Sequence, residues 1–513
     1  MRPHLSFLRA GSPLLRSTAR TTLPLPLPLP LPLPRPHLHR FCGSCTTPPA
    51  PTATTPSSTT TTTTAAAARP DHRAIATSQE LLITHGASPG SPLFLPNGAR
   101  IFNQLQSFLR AQYAVYGYEE VITPTIYKRS LWETSGHWEN YKDDMFSVSA
   151  RGEKDPAEEV EEGEGEYGLK PMNCPGHCLL FKHAGATRSF RDLPVRYADF
   201  APLHRNELSG ALSGLTRVRK FHQDDAHIFC RPSQISTEIL ATLRLINTVY
   251  TVLHLPQYKL VLSTRPDHHI GTPAEWNRAE DALTQALNAS GTPWTLSPGD
   301  GAFYGPKIDV LVTDSDGKQH QTATIQLDFQ LPQRFGLSYL APAPEAEARG
   351  EAPTDPKELE TSGLVTPVII HRAVLGSFER FMALLMEHYG GRWPFWLAPR
   401  QAVVLPVADS EALLRYAREV RGVVAGVGEG AGVGAAPMGR RTFAVDVDES
   451  GNSLAKKVKA ARVKGYNYII VVGEKDRERG TAAVECVVGE KGRWVLSPGE
   501  VYQRFVGLEE RYE

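Results

Sequence analysis

Acidic residues are missing from the first 70 positions: seven arginines (Arg2, Arg9, Arg16, Arg20, Arg35, Arg40 and Arg69) stand there with no lysine, and no Asp or Glu occurs before Asp71. The same stretch carries "LPLPLPLPLPLP" and "TATTPSSTTTTTTAAAA", which hold too little large apolar surface to build a packed core. An acid-free start containing Arg and Ser/Thr predicts an organelle transit peptide, mitochondrial in character, with a disordered tail as the alternative. Cysteine is scarce as well. Six occur in 513 residues, and with Cys42 and Cys45 in the leader only Cys174, Cys178, Cys230 and Cys486 remain; four in so large a body exclude a disulfide framework and point to a reducing compartment. No apolar run approaches the roughly 18 residues of a membrane span, so no transmembrane segment is expected. Nor is there a net charge: 55 basic residues face 55 acidic ones, and the seven in the leader leave the body 48 against 55. Nucleic acid can then be met only by a local basic patch.

What is present is enough chain for two hydrophobic cores and the composition of an ordinary globular enzyme, 41% apolar and 21% charged. The folded body is expected to begin near "GSPLFLPNGARIF", where a Pro-Asn-Gly turn leads into the helical pattern "ARIFNQLQSFLRAQYAVYG", ended by Gly117. "YEEVITPTIY" reads as a strand interrupted at Pro124. Two acidic stretches, 151–166 and 341–363, are expected to be loops. "GAFYGPKIDVLVTD", "QTATIQLDFQLP" and "TPVIIHRA" predict antiparallel strands, and hence a sheet with inserted helices. From about residue 398 the pattern becomes βαβαβ, which predicts a separate α/β domain with a parallel sheet. Within it "GVVAGVGEGAGVGAA" reads as a flexible loop, since no strand leads into it as a phosphate cradle requires.

Three segments carry candidate chemistry. In "LKPMNCPGHCLLF", Cys174, His177 and Cys178 fall within five positions, which suits either a local metal site or one ligand with distant partners; Pro175 and Gly176 argue against a regular helix there. In "HRNELSGALSGLTRVRKFHQDDAHIFC", an Arg205-x-Glu207 core precedes a Gly/Ser-rich stretch with Arg217, Arg219 and Lys220, then Phe221 and a strand. A strand, a basic loop and a returning strand can hold a polyphosphate while the aromatic ring stacks on a base; an exposed basic hairpin is the alternative. In "VIIHRAVLGSFERFMALLMEHYG", Val374, Leu375, Phe378, Met382 and Leu385 recur at helical spacing, with Arg380 off that stripe.

Arg205-x-Glu207, "GSFER" (Gly376 to Arg380) and Pro124 after a long helix together resemble the three motifs of class II aminoacyl-tRNA synthetases, and "KPMNCPGH", "RKFHQDDAHIF", "GAFYGPKID" and "IHRAVLGSFERF" resemble the threonyl-tRNA synthetase family. The resemblance implies an α/β (α+β) chain: a class II antiparallel-sheet catalytic domain over 85–397, an anticodon-binding domain over 398–513, a leader over 1–70 and a short extension over 71–84. It implies zinc held by Cys174, His227 and His371, with an open position that threonine fills through its amino and hydroxyl groups. Valine has no hydroxyl to offer, whereas serine lacks only a methyl and is the predicted error, separated by about 1–3 kcal/mol. It implies Arg205 and Arg380 on the phosphates of ATP with Mg²⁺, Glu207 on the adenine edge, Phe221 on its ring, and Arg217 and Gln321 near the nucleotide. Gln223, Asp225, Tyr304 and Gln326 would line the threonine pocket, and His137 would assist transfer to the ribose of tRNA(Thr). A purely structural role remains open for His137, Gln321 and Gln326.

The implied protein is a mitochondrial-matrix homodimer, with no membrane association. Two departures from the family pattern stand out. Residues 1–84 are too short and too simple for the N-terminal domain that hydrolyses seryl-tRNA, as in truncated fungal mitochondrial forms. Where a basic strand is usual in the C-terminal domain, this chain has "AAVECVVGEKG"; basic candidates elsewhere are Lys456, Lys457, Lys459, Arg462 and Lys464 on one helix, unless that face is merely solvated. A non-catalytic accessory protein would lose Arg205 and Arg380, and a prolyl or seryl enzyme would not need the Cys174, His227 and His371 trio.

Overall fold

A computed structural model describes residues 70–149, 166–183, 188–313, 317–353, 355–427, 441–489 and 492–513. The leader, the acidic stretch from 150 to 165 and the glycine-rich run from 428 to 440 lie outside the described residues. Among the described residues no helix is long and apolar enough to cross a membrane.

Pro96 opens a twenty-residue helix, Pro96–Val115, at the first-turn position where a missing N–H costs nothing. Ile101, Leu105, Phe108 and Leu109 bury its stripe, and the chain turns away at Gly117 with φ +71°. The helix lies on a nine-stranded, mostly antiparallel sheet whose central order is Lys259–Ser263, Lys307–Thr313, Gln319–Asp328, Val368–Ser377, Lys220–Cys230 and Val195–Asp199. Glu119–Glu120 extends one edge and Trp294–Ser297 the other, both by parallel pairing. Period-2 alternation divides the sheet cleanly. Ala226, Ile228, Ile370, Ala323 and Ile325 point to the helical core, together with the inserted helices Ile235–Val252 and Pro273–Ser290. Phe229 and Ile369 point the other way, onto the helix Cys174–His183.

Several expectations need correction. The folded body starts earlier than the Pro-Asn-Gly turn: the helix His72–Ser78 is capped by Asp71 and followed by Leu81, which is fully buried. The acidic stretch 341–363 is not simply loop. It contributes the paired strands Tyr339–Pro342 and Ser362–Val365 and the helix Pro344–Arg349, because Glu347 is buried in a two-pronged contact with Arg231 (2.6 Å each) and accepts from the Tyr339 hydroxyl at 2.7 Å. Such a paired carboxylate anchors a segment that composition alone marks as solvated. Val374 and Leu375 are buried on a strand, not on the helix that follows, since the helix begins at Phe378. Pro175 and Gly176 do not prevent a helix either: Cys174–His183 opens there, with Pro175 in the first turn.

The C-terminal region forms its own sheet, ordered Val445–Val447, Ala402–Pro406, Tyr468–Val472, Ala482–Cys486 and Arg493–Leu496. Its first three strands are parallel, as expected, but the last two pair antiparallel, so the sheet is mixed. An aliphatic and aromatic core of Val404, Ile470, Val484 and Phe505 holds it against the helices Glu411–Val424 and Pro498–Glu510.

Candidate active site

The sequence "QDDAH" places Gln223, Asp225 and His227 on one face of the strand Lys220–Cys230 by simple alternation. The neighbouring strand pairs His371 with His227 and Ala373 with Asp225, and the next pairs Gln326 with His371. Three strands separated in sequence thus deliver His227, His371 and Gln326 side by side. The helix Cys174–His183 covers this face and brings its first residue to the same point: the ligand atoms of Cys174, His227 and His371 lie within 4.8 Å of one another, all buried. His177 and Cys178 do not complete a local trio. Cys178 packs among apolar side chains, and His177 Nδ1 lies 2.8 Å from His227 Nδ1.

These contacts test whether a metal fits. Asp328 accepts from His371 Nε2 at 2.9 Å, and its other oxygen is occupied by the backbone N–H groups of Gln330 and Leu331. His371 is left with Nδ1, and His227, engaged at Nδ1, is left with Nε2, one free nitrogen each beside a sulfur. A carboxylate that fixes the outer nitrogen, as Asp328 does for His371, is a usual support of a ligating histidine. Burial holds His227 well below the ordinary histidine range, keeping it neutral, the form that ligates a metal. Among the described residues, one Cys and two His with ligand atoms this close suit zinc with an open position.

Tyr304 and Gln326 complete the wall: the Tyr304 hydroxyl donates to Gln326 Oε1 at 2.9 Å, and Gln326 Nε2 donates to the Gly305 carbonyl at 3.1 Å. Asp225 accepts from Asn173 Nδ2 at 3.1 Å. His137 is buried against the cluster, its Nε2 3.8 Å from Cys174 Sγ and its Nδ1 2.7 Å from Ser135 Oγ. Burial, aided by His371, lowers its pKa to about 4.

Farther along the same strands a cavity of about 250 Å³ is lined by Arg205, Glu207, Phe221, Gln223, Gln321 and Arg380, among others. Gln223 lies four residues from His227, or about 13 Å at a strand's rise, so the cavity and the cysteine–histidine cluster are within one extended ligand of each other. Arg205 lies over the Phe221 ring at 5.0 Å. Arg217 bridges Glu207 at 2.7 Å. Arg380 donates through Nε to the Thr216 carbonyl at 3.1 Å; burial, then the charges of Arg205 and Arg217, lower its pKa. Three arginines held this close repel one another unless an anion lies between them. Gln321 donates to Asp309.

Arg380 owes its place to a defect in the sheet. Between Ala373 and Ser377 the pairing slips, Gly376 adopts φ +65°, and the freed N–H groups of Val374 and Leu375 donate to Asp224 at 2.7 and 2.9 Å. Asp224 is sealed on the core face beside Arg372, 3.6 Å away, and burial raises it to about 6. Ser377 then caps the helix Phe378–Tyr389 by accepting from Arg380 N–H.

The molecule also has a larger cleft of about 850 Å³, lined by charges of both signs including Glu80, Arg400, Asp446 and Lys457. None of the residues marked from sequence as catalytic, nucleotide, threonine or metal contacts borders it, and no set of arginines converges there, so the smaller cavity is the candidate site. Sequence reasoning did not find the supports: Asp328, Asp224, Asn173 and the role of His177 as a partner of His227. The period-2 spacing of "QDDAH" was the one local signal for the aligned face.

The chain is similar to known proteins over both of its sheet-bearing regions. Residues 157–349 match the class II core domain of tRNA synthetases (G, H, P, S and T), and 401–493 match an anticodon-binding domain. A probable mitochondrial threonine–tRNA ligase of Schizosaccharomyces pombe is 50% identical over 416 residues, 81% of this chain and 84% of that protein. The chain belongs to the threonine–tRNA ligase family. A mitochondrial threonine–tRNA ligase of Saccharomyces cerevisiae is 45% identical over 86% of this chain and 91% of its own length. A crystal structure described as the RNA-binding domain of threonyl-tRNA synthetase from Cryptosporidium parvum superimposes with a TM-score of 0.73 at 42% identity, covering 85% of this chain and 98% of that one.

As a member of that family the chain has a class II synthetase core and an anticodon-binding domain. Such cores bind ATP with Mg²⁺, an amino acid and tRNA. The basic helix Leu454–Lys464 of its anticodon-binding domain is less exposed than its sequence suggests: Lys457 is buried and donates to the carbonyls of Asp448 (3.0 Å) and Pro406 (3.3 Å), so it is not part of a charged surface. On the adjacent strand Glu485 accepts from Arg462 at 2.6 Å and lies 3.4 Å from Arg493.

Proposed function

We infer that the chain is a mitochondrial threonine–tRNA ligase, working in the matrix, that joins threonine to ATP as threonyl-adenylate and passes the acyl group to the 3′ end of tRNA(Thr). The observation that carries this reading is one sheet face with a cavity rimmed by Arg205, Arg217 and Arg380 at one end and the Cys174, His227 and His371 cluster at the other. In the first step a carboxylate oxygen of threonine attacks the α-phosphorus and the bond to the β-phosphate breaks, releasing pyrophosphate. The obstacle is repulsion between anions, so the work falls to positioned positive charge rather than to an enzyme nucleophile. Arg205, over Phe221, holds the α-phosphate and the carboxylate; Arg380 draws the distal phosphates away; Glu207 and Phe221 take the adenine; and Gln321 and Arg217 flank the nucleotide.

Zinc held by Cys174, His227 and His371 would offer an open coordination position to the amino and hydroxyl groups of threonine. Gln223, Asp225, Tyr304 and Gln326 surround that position, and a site that demands a polar ligand rejects valine far better than an apolar pocket does. His137, buried at the cluster, is poised for the transfer step. Pyrophosphate exchange on the purified chain is expected with threonine and, more weakly, with serine; exchange with serine or proline but not threonine rejects the assignment.

A homodimer is supported by Val115, 78% exposed, and Ile122, 90% exposed, which flank the start of the strand region before Pro124, where the family resemblance places its first motif. Sedimentation showing only monomer at working concentration excludes it.

A further inference from the structure

The loop from Ser209 to Arg219, which carries Arg217, is tied down by residues more than a hundred positions earlier. His72 is 7% exposed. Its Nδ1 lies 2.7 Å from a carboxylate oxygen of Glu387, and the Leu215 backbone N–H donates to its Nε2 at 3.4 Å. A carboxylate only accepts and an amide N–H only donates, so the two partners fix one neutral tautomer, protonated at Nδ1. Contact is close enough to dictate sequence. Gly214 has φ +48°, and a β-carbon there would sit 2.2 Å from His72 Nε2. Beside it Arg73 donates to Ser213 Oγ at 3.1 Å. At the loop's other end the Arg219 N–H donates to the Gly90 carbonyl at 2.6 Å, with Gly90 at φ +75° and its vacant side-chain position filled by the Arg219 stem.

The helix Phe378–Tyr389 closes the arrangement. Arg380 and Glu387 are seven residues apart, on one face of that helix. Arg380 grips the Thr216 carbonyl directly, and Glu387 grips the adjacent Leu215 amide through His72. Two neighbouring residues of the loop thus hang from one helix by separate holds.

We propose that His72 is a positioning residue for the ATP-binding loop, and that the segment from Asp71 to Gly90 is a built-in brace of the active site. This rests on the reading of Arg205, Arg217 and Arg380 as nucleotide contacts. When Arg380 turns to phosphate it gives up Thr216, and the His72 hold on Leu215 then keeps the loop in register so that Arg217 returns over the nucleotide. No bond is made or broken by His72, and its effect is confined to the affinity for ATP and to the loop's opening.

The test is pyrophosphate exchange by the full chain, together with limited trypsin digestion, for His72→Ala, His72→Gln, Glu387→Ala and the His72→Ala/Glu387→Ala pair. His72→Ala is expected to raise KM for ATP about tenfold, the worth of one hydrogen bond to a part-buried partner, with KM for threonine little changed. His72→Gln, which returns an acceptor near the Nε2 position, recovers most of the loss. The double variant is no worse than the single, as expected of groups acting in series. Trypsin cuts faster after Arg217 in His72→Ala than in the parent, without faster cutting elsewhere. Equal changes in both KM values with a lowered Tm and general protease sensitivity, or no change in KM for ATP, overturn the proposal. Arg205→Ala run alongside separates the two failures. If it abolishes exchange while His72→Ala is silent, only the brace falls; if Arg205→Ala itself exchanges normally, the nucleotide reading falls and the brace with it.

Discussion

In the nine-stranded sheet, Asp224 and Arg372 are sealed on the core face, and Asp225, His227, Asp328 and His371 are buried together on the other. The five-stranded C-terminal sheet buries Val404, Ile470, Val484 and Phe505 and, among the described residues, a single charged side chain, Lys457. A charged group removed from water is costly unless every partner is supplied. The first sheet accepts that cost at the places where it must aim side chains: Asp224 secures the bulge that launches the Arg380 helix, and Asp328 orients His371. The second sheet aims nothing into its interior. Among the described residues its other charged side chains stay outside the core, and an apolar core suffices to hold that surface in shape.

Substitutions that separate the two regions give the sharpest tests. The largest effect belongs to Arg205→Ala, expected to slow pyrophosphate exchange by about 10²–10³-fold through loss of charge stabilisation at the α-phosphate, with Tm and metal content unchanged. Next, Cys174→Ala removes one of the three proposed ligands; plasma emission analysis is expected to find about one zinc per parent chain and little in the variant, with threonine exchange falling in step. Equal zinc in both would remove the cluster from the metal assignment.

The pair Asp224→Asn and Val404→Ala contrasts the cores directly. Each is expected to lower stability by about 2–4 kcal/mol, the first by leaving Arg372 and two N–H groups poorly matched and the second by opening a cavity. At a temperature where both are folded, only Asp224→Asn should also reduce exchange, because only it shifts Gly376 and Arg380. Glu347→Gln is milder. Burial alone would raise the Glu347 carboxyl, but hydrogen bonds from Arg231 and Tyr339 hold it below its ordinary value, so its contribution is complete above the unfolded-state pKa and fades as pH falls through the folded one. Urea melts of parent and variant are therefore expected to converge in acid, from a difference of about 1–2 kcal/mol near neutral pH. Smallest of all, Glu485→Ala breaks an exposed contact with Arg462 and is expected to cost under about 1 kcal/mol; a large fall in charging of tRNA(Thr) transcripts without loss of exchange would reveal that strand as an RNA contact.

The elements that carry the site were legible in short strings with strong local rules, whereas the roles given to its residues rested on the resemblance of those strings to family motifs. "QDDAH" alternates as a strand must, "GSFER" pairs a bulge-permitting glycine with a helix-capping serine, and the βαβαβ rhythm after residue 398 needs no tertiary knowledge. The misreadings arose where a local rule was outvoted by a distant partner. The acidic stretch around Glu347 reads as solvated until Arg231 is placed beside it. Lys457 belongs to a basic run until the carbonyls of Asp448 and Pro406 take it out of water. The helix of His72 is short and borders a low-complexity leader, and its importance lies in contacts with residues 213–215 and 387.

By itself, then, the amino-acid order determined most of the elements, the faces of the strands and the inventory of reactive groups, since alternation, capping and turn chemistry act over a few residues. Only the tertiary structure decided which sulfur meets which imidazoles, which carboxylates back them, and that the N-terminal helix grips the loop bearing Arg217. Those outcomes depend on strand register and on pairs separated by tens to hundreds of residues, where burial strengthens each charge and no periodicity along the chain records the partner.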